Sequence, residues 1–210
     1  DRMRNAYIKE EDRQYEMTVV RNEFERGQNS PSGVLDENIW ATAYQAHPYH
    51  HSTIGWKEDI ENVSIERLRE FYDTFYWPNN ATAIAIGDFS EADALAMIKK
   101  HFGKIRKSMK PIPEVYTAEP KQEGIRRINI DRDSNTNILA IGFKHNGFPS
   151  KDWFIASVAI DLLIDGSNSI LHQNLIDTGV AAELSCDFEP TDDLNLAILF
   201  ITLNKKDSHK

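Results

Sequence analysis

The stretch AELSCDFEPTDDLNLAILFITL, residues 182–203, decides the fold class. Ala182, Leu184, Cys186 and Phe188 alternate with Glu183, Ser185 and Asp187, which is the period of a strand buried on one face. Residues 190–193, PTDD, form a turn, and 194–203 read as a second, more apolar strand. Two strands joined by so short a turn pair antiparallel. Upstream, NILAIGFK (137–144) and RRINIDR (126–132) also read as strands. The helix expected from Lys151 to Asp165 is apolar on nearly every side and is expected to be buried. A shorter helix starts at Ser169 and ends at Gly179.

The first hundred residues are mainly helical. One helix spans about Glu11 to Gln28, and Ser30-Pro31 opens another through about Ala46. Pro48 disfavours helical geometry at His47, so 47–51 read as a loop. Ser64 caps a helix whose stripe is Ile65, Leu68, Phe71, Tyr72 and Phe75. WPNN (77–80) is a turn, and ATAIAIGD (81–88) reads as a short buried strand. Ser90 opens a further helix with Leu95, Ile98 and Phe102 on one face, closed by Gly103. Residues 104–124 carry Pro111, Pro113 and Pro120 among many charges and hold no period, as a linker does. Strands and helices do not alternate singly, so the class is α+β, with antiparallel sheets flanked by helices. The strand, Ile-Gly, loop and helix of 83–98 are faintly echoed at 139–164, which hints at a duplicated unit.

With 210 residues, 40 % of them hydrophobic, the chain is long enough for a substantial core. Its net charge of −9 comes without a basic stripe, so no nucleic-acid partner is expected. No apolar run reaches the about 18 residues that span a membrane. Cys186 is the only cysteine and excludes an intrachain disulfide. The charged, non-Met start and the KKDSHK ending are those expected of a piece of a longer protein.

Glu16 and Glu23 are the candidate site residues. Seven residues are about two helical turns, so both carboxylates lie on one side of the first helix, beside Met17, Val20 and Phe24. Solvated charges and a metal site both fit that spacing; zinc accepts glutamate oxygens. His47, His50 and His51 form a cluster, but Pro48 breaks the helix that would align them as ligands. His101, His145 and His172 are isolated. Neither HExxH nor its inverse HxxEH occurs in the chain. The sequons at Asn62 and Asn80 carry no weight, and GSNS (166–169) lacks the Gly-Lys-Ser/Thr of a phosphate loop.

An ordered set of segments resembles the M16 metallopeptidases, the insulinase/pitrilysin family that includes mitochondrial processing peptidase. They are EMTVVRNEFERGQNSPSGVL (16–35), AHPYHHSTIGW (46–56), FYDTFYWPNNATAIAIGDFS (71–90), FGKI (102–105), Glu119-Pro120 with Arg126-Arg127, and GSNSILHQNLIDTGVA (166–181). The resemblance implies two related M16-type (LuxS/metallohydrolase-like) domains, both incomplete. The end of the first would be 1–107, the linker 108–124, and the start of the second 125–210. It also implies a zinc endopeptidase acting on peptides or small unfolded polypeptides held between two halves. In the family an HxxEH helix gives two ligands and the base, and a downstream glutamate gives the third ligand. Glu23 matches that ligand, and Glu16 matches the acidic residue that supports it. This chain alone, lacking HxxEH, is expected to be inactive and to bind no zinc; the alternative is a non-catalytic M16-like subunit serving as a structural or binding partner. Further expected partners are a dimer mate or a second M16 half. By family, a periplasm or organelle suits the protein, with the cytosol also open.

Overall fold

The computed structural model describes residues 2–204. The chain forms two compact units, Asp1–Phe24 with Ile54–Tyr116 and Glu25–Thr53 with Thr117–Lys210.

The first unit is helical. Helix α1 is Glu10–Gln28, and its first fifteen residues belong to this unit. Ser30 opens α2 (Pro31–Ala43) in the second unit. Three further helices complete the first unit: α3 (Lys57–Asn62), α4 (Ile65–Phe75) and α5 (Glu91–Phe102). Ser64 and Ser90 cap α4 and α5 as expected, each hydroxyl accepting an N–H bond, from Arg67 and Asp93. Arg13 fastens the start of α1: it donates to Val63 O at 2.9 Å and to Glu10 at 2.9 Å. Ile60 and Ile65 are buried. The segment before α1 lies along α4. The Arg4 guanidinium sits 3.6 Å from the Trp77 ring centroid and pairs with Asp73 at 2.9 Å. Arg69 donates to Ile8 O at 2.9 Å.

The second unit contains the sheet. Strands β1 (Asn137–His145), β2 (Ala181–Asp187) and β3 (Asn195–Leu203) lie in the order β1-β3-β2, all antiparallel. The expected 182–203 hairpin is present, with Ser185 opposite Phe200 and Cys186 opposite Leu199. On one face Leu196, Ile198 and Phe200 form a core with Tyr44, against which Leu35, Ile39, Trp40 and Ile138 pack. Trp40 and Tyr44 stack at 5.6 Å. Gly142 lets α2 approach the sheet, since a Cβ there would stand 3.2 Å from Ile39 Cδ1. Helix α6 (Lys151–Ile164) contacts β1 and β2, and a π-helical turn (His172–Ile176) leads into β2.

Four local expectations are corrected. Residues 81–88 belong to no strand, and neither do 126–132. A strand exists only where another supplies its hydrogen bonds, and no described residues pair with either stretch. The segment 126–132 is anchored instead by its own side chains: Arg126 donates to Thr42 O and Ala43 O, both at 2.8 Å, and Arg132 to Gln28 O at 2.8 Å. Helix α6 has no buried residue, and its Leu162 is 65 % exposed, because among the described residues nothing covers its outer face. Helix α2 ends at Ala43 rather than Ala46, because the next N–H groups are taken by Glu119.

Candidate functional site

The acidic first turn of α1 (Glu10, Glu11, Asp12) suits the positive end of a helix dipole. From there the helix runs unbroken through Glu16 and Glu23. Both carboxylates are exposed, while Met17, Val20 and Phe24 are half-buried beside them. Neither side-chain carboxylate makes a hydrogen bond or ion pair among the described residues. The two side chains are about 10.5 Å apart along the axis, from two helical turns. That is too far for both to hold one ion directly; one ligating and one supporting role is what such spacing permits.

The described residues contain no group of three or more His, Cys, Asp or Glu able to hold a metal ion. A catalytic zinc takes three protein ligands, so these residues do not complete a zinc centre. The histidines lie elsewhere. His47 is 7 % exposed and caps the turn Pro48–His50. Its Nδ1 accepts from the Tyr49 N–H at 3.3 Å, and its Nε2 stands 3.3 Å from Asp193 Oδ2. Both ring nitrogens therefore serve the fold. The His50 and His51 rings meet edge-on at 5.1 Å. The His145 ring lies 4.7 Å from Phe188, with Nδ1 donating to Asn146 O at 2.8 Å.

Two carboxylates that the sequence did not single out for chemistry are perturbed. Glu119 has a side chain only 2 % exposed. Burial pushes its pKa up, but the N–H groups of Ala46, Gln45 and His47 and the Lys144 ammonium outweigh burial and hold it at about 2. The bonds measure 2.9 Å to Ala46 N, 3.0 Å to Gln45 N, 3.2 Å to His47 N and 3.2 Å to Lys144 Nζ. Asp36 shows the reverse. Burial and then the charge on Asp187 raise it to about 6. It lines a cleft of about 660 Å³ with Ile138, Glu183, Asp187 and Phe200. No sequence motif marks Asp36; its neighbours Glu183 and Asp187 reach it only through the β2 register.

Comparison with known proteins identifies the family. The chain belongs to the M16 peptidase family: residues 62–210 match the family described as Peptidase M16 inactive domain. Zinc protease PqqE of Helicobacter pylori is 34 % identical over 178 residues, 83 % of this chain and 40 % of the relative. A solved protease from Helicobacter pylori superposes with a TM-score of 0.91 at 30 % identity, covering 96 % of this chain and 50 % of that one. The periplasmic protease PqqL from Escherichia coli, 20 % identical with a TM-score of 0.70, has the same fold over 97 % of this chain and 23 % of its own. The chain thus spans half or less of the length of these relatives.

Proposed function

We propose that this chain is part of a zinc-dependent metalloendopeptidase that hydrolyses peptides or small unfolded polypeptides, with Glu23 as a zinc ligand and Glu16 supporting it. The observation that carries the reading is the free, exposed pair on one side of α1 in a member of a family whose relatives are named zinc proteases. An exposed carboxylate without a partner has its lone pairs available to a cation. Bound zinc in such enzymes supplies Lewis acidity to the scissile carbonyl and to water. In this chain the contribution is confined to holding one carboxylate at a fixed place on a rigid helix. With no HxxEH in the sequence and no three convergent ligands among the described residues, the chain by itself is inactive under this proposal and binds no zinc.

Residues 1–107 are proposed as the end of a first family domain, 108–124 as a linker and 125–210 as the start of a second, with the substrate held between two halves. A dimer mate is the other form of partner that fits. The description of the matched family as an inactive domain favours a second reading, a non-catalytic M16-like subunit acting as structural or binding partner. The names of relatives, periplasmic in one case and mitochondrial in others, support a periplasm or an organelle as its compartment.

The test is Glu23→Gln in the full-length protein, read by zinc content and by cleavage of an unstructured peptide. The proposal expects zinc content and activity to fall together. Equal zinc content and unchanged activity overturn it and select the non-catalytic reading.

A further inference from the structure

The net charge of −9 conceals a run of the opposite sign. KKHFGKIRKSMK, residues 99–110, carries Lys99, Lys100, Lys104, Arg106, Lys107 and Lys110, and no Asp or Glu stands between Asp93 and Glu114. This segment corrects the expectation of a chain without a basic stripe. It lies within the first unit. All six basic residues are exposed, and among the described residues none of them makes an ion pair. Lys99 and Lys100 sit in the last turn of α5, where cations suit the negative end of the helix dipole. That does not account for Lys104, Arg106, Lys107 and Lys110, which lie beyond the helix. Nor is the run a loose tail. The Ile105 N–H donates to Phe102 O at 2.9 Å, the Ser108 N–H to Asn79 Oδ1 at 2.8 Å and the Ser108 hydroxyl to Lys110 O at 2.8 Å. Like charges are therefore held close together with no anion to relieve them.

We infer that residues 99–110 form a docking surface for the anionic phospholipid headgroups of a bilayer. Charge complementarity calls for an anion, and three features choose this one. Lysine supplies every cation but Arg106. Lysines are hydrated point charges suited to a diffuse field, whereas the guanidinium fork that grips a single carboxylate or phosphate occurs once. Apolar side chains are interleaved with the cations, Met109 being 92 % and Phe102 41 % exposed. At a headgroup layer such groups enter the acyl boundary while neighbouring lysines stay among the phosphates. Single-stranded nucleic acid needs a series of aromatic platforms, and Phe102 is the only aromatic ring in the run. The acidic start of α5 does not cancel the attraction. Asp93 precedes Lys99 by six residues, about 9 Å along the axis, and exposed charges act over about 8 Å at physiological salt. Lysines are almost never fully buried without a partner, so the exposure of this run does not depend on polypeptide outside the 210 residues. Neither the role of Glu23 nor peptidase activity enters the inference.

Vesicle co-sedimentation tests it, on the protein expressed from its whole reading frame. One set of vesicles mixes phosphatidylglycerol with phosphatidylcholine, and the other is phosphatidylcholine alone. The expected result is binding to the mixed vesicles only, abolished in about 1 M salt, where screening shortens to about 3 Å. A variant carrying Lys104→Gln, Arg106→Gln, Lys107→Gln and Lys110→Gln should bind more than about a hundredfold more weakly, at about fivefold for each cation removed. Exposed substitutions of this kind leave folding intact. The control with Lys104→Arg, Lys107→Arg and Lys110→Arg, which keeps every charge, should bind as the parent does. Absence of binding to the mixed vesicles overturns the inference, and so does equal binding by the glutamine variant. Binding to duplex DNA or polyglutamate without binding to the vesicles also overturns it, by assigning the segment to that other polyanion.

Discussion

Two uncharged stretches, each with two isoleucines and one threonine, have opposite fates. LAILFIT, residues 196–202, is the middle of β3, with a strand on each side, and Ile198 has no exposed surface. ATAIAIG, residues 81–87, is also uncharged, yet belongs to no strand and lies open to water. The isoleucines favour a strand in both; pairing partners are present in only one. What makes a strand is the neighbour that takes its N–H and C=O groups and covers its side chains. The same rule sorts the charged groups: Glu119 has four donors and a strongly lowered pKa, whereas Asp36 has Asp187 for company and a raised one.

The largest expected effect breaks the paired stretch. Ile198→Ala should cost about 4 kcal/mol of stability in urea unfolding, because its site is closed on all sides. A loss under about 1 kcal/mol would mean that the β3 core is not packed as described. Next is Glu119→Gln, expected to cost about 3 kcal/mol by leaving backbone donors and the Lys144 ammonium poorly served. Its pH dependence has a definite sign. A carboxylate lowered from 4.5 to about 2 contributes fully above pH 4.5, and that contribution is lost as pH falls towards 2. The slope of stability between those values should flatten in the variant.

Asp36 works in the other direction. A pKa raised from 3.8 to about 6 means that the ionised group opposes folding above pH 6 and that the penalty fades as pH falls towards 3.8. Asp36→Asn should therefore stabilise the protein by about 1 kcal/mol at pH 7, after allowance for partial solvent screening, and by nothing near pH 4. Equal effects at both pH values would remove the repulsion from the account. The smallest effect is Ile86→Ala, within about 0.5 kcal/mol in the 210-residue chain. A cost several times larger in the whole protein would sharpen the contrast, since only a covered Ile86 can lose that much.

The helices were legible because their signals are local: Ser64 and Ser90 cap the helices that follow them, and the stripe after Ser64 repeats at helical spacing. The β2–β3 hairpin was legible because its partner lies across a short turn. Residues 81–88 and 126–132 had the right composition for strands, but composition does not report whether a neighbour is there. Helix α3 escaped notice, being six residues with Ile60 as its one apolar group. Glu119 was invisible as an anchor because its acceptor role depends on residues 72 to 74 positions away. The two-turn spacing of Glu16 and Glu23 was plain in the sequence; their lack of any partner among the described residues was not.

The most direct test of the central claim is a chelator-competition titration of zinc affinity in the full-length protein and in its Glu16→Gln and Glu23→Gln variants. The account predicts tight, stoichiometric zinc in the parent, a loss of more than about a hundredfold for Glu23→Gln and a weaker loss, about tenfold, for Glu16→Gln. Three indistinguishable titrations would contradict it, and would return both glutamates to the role of solvated charges on a helix.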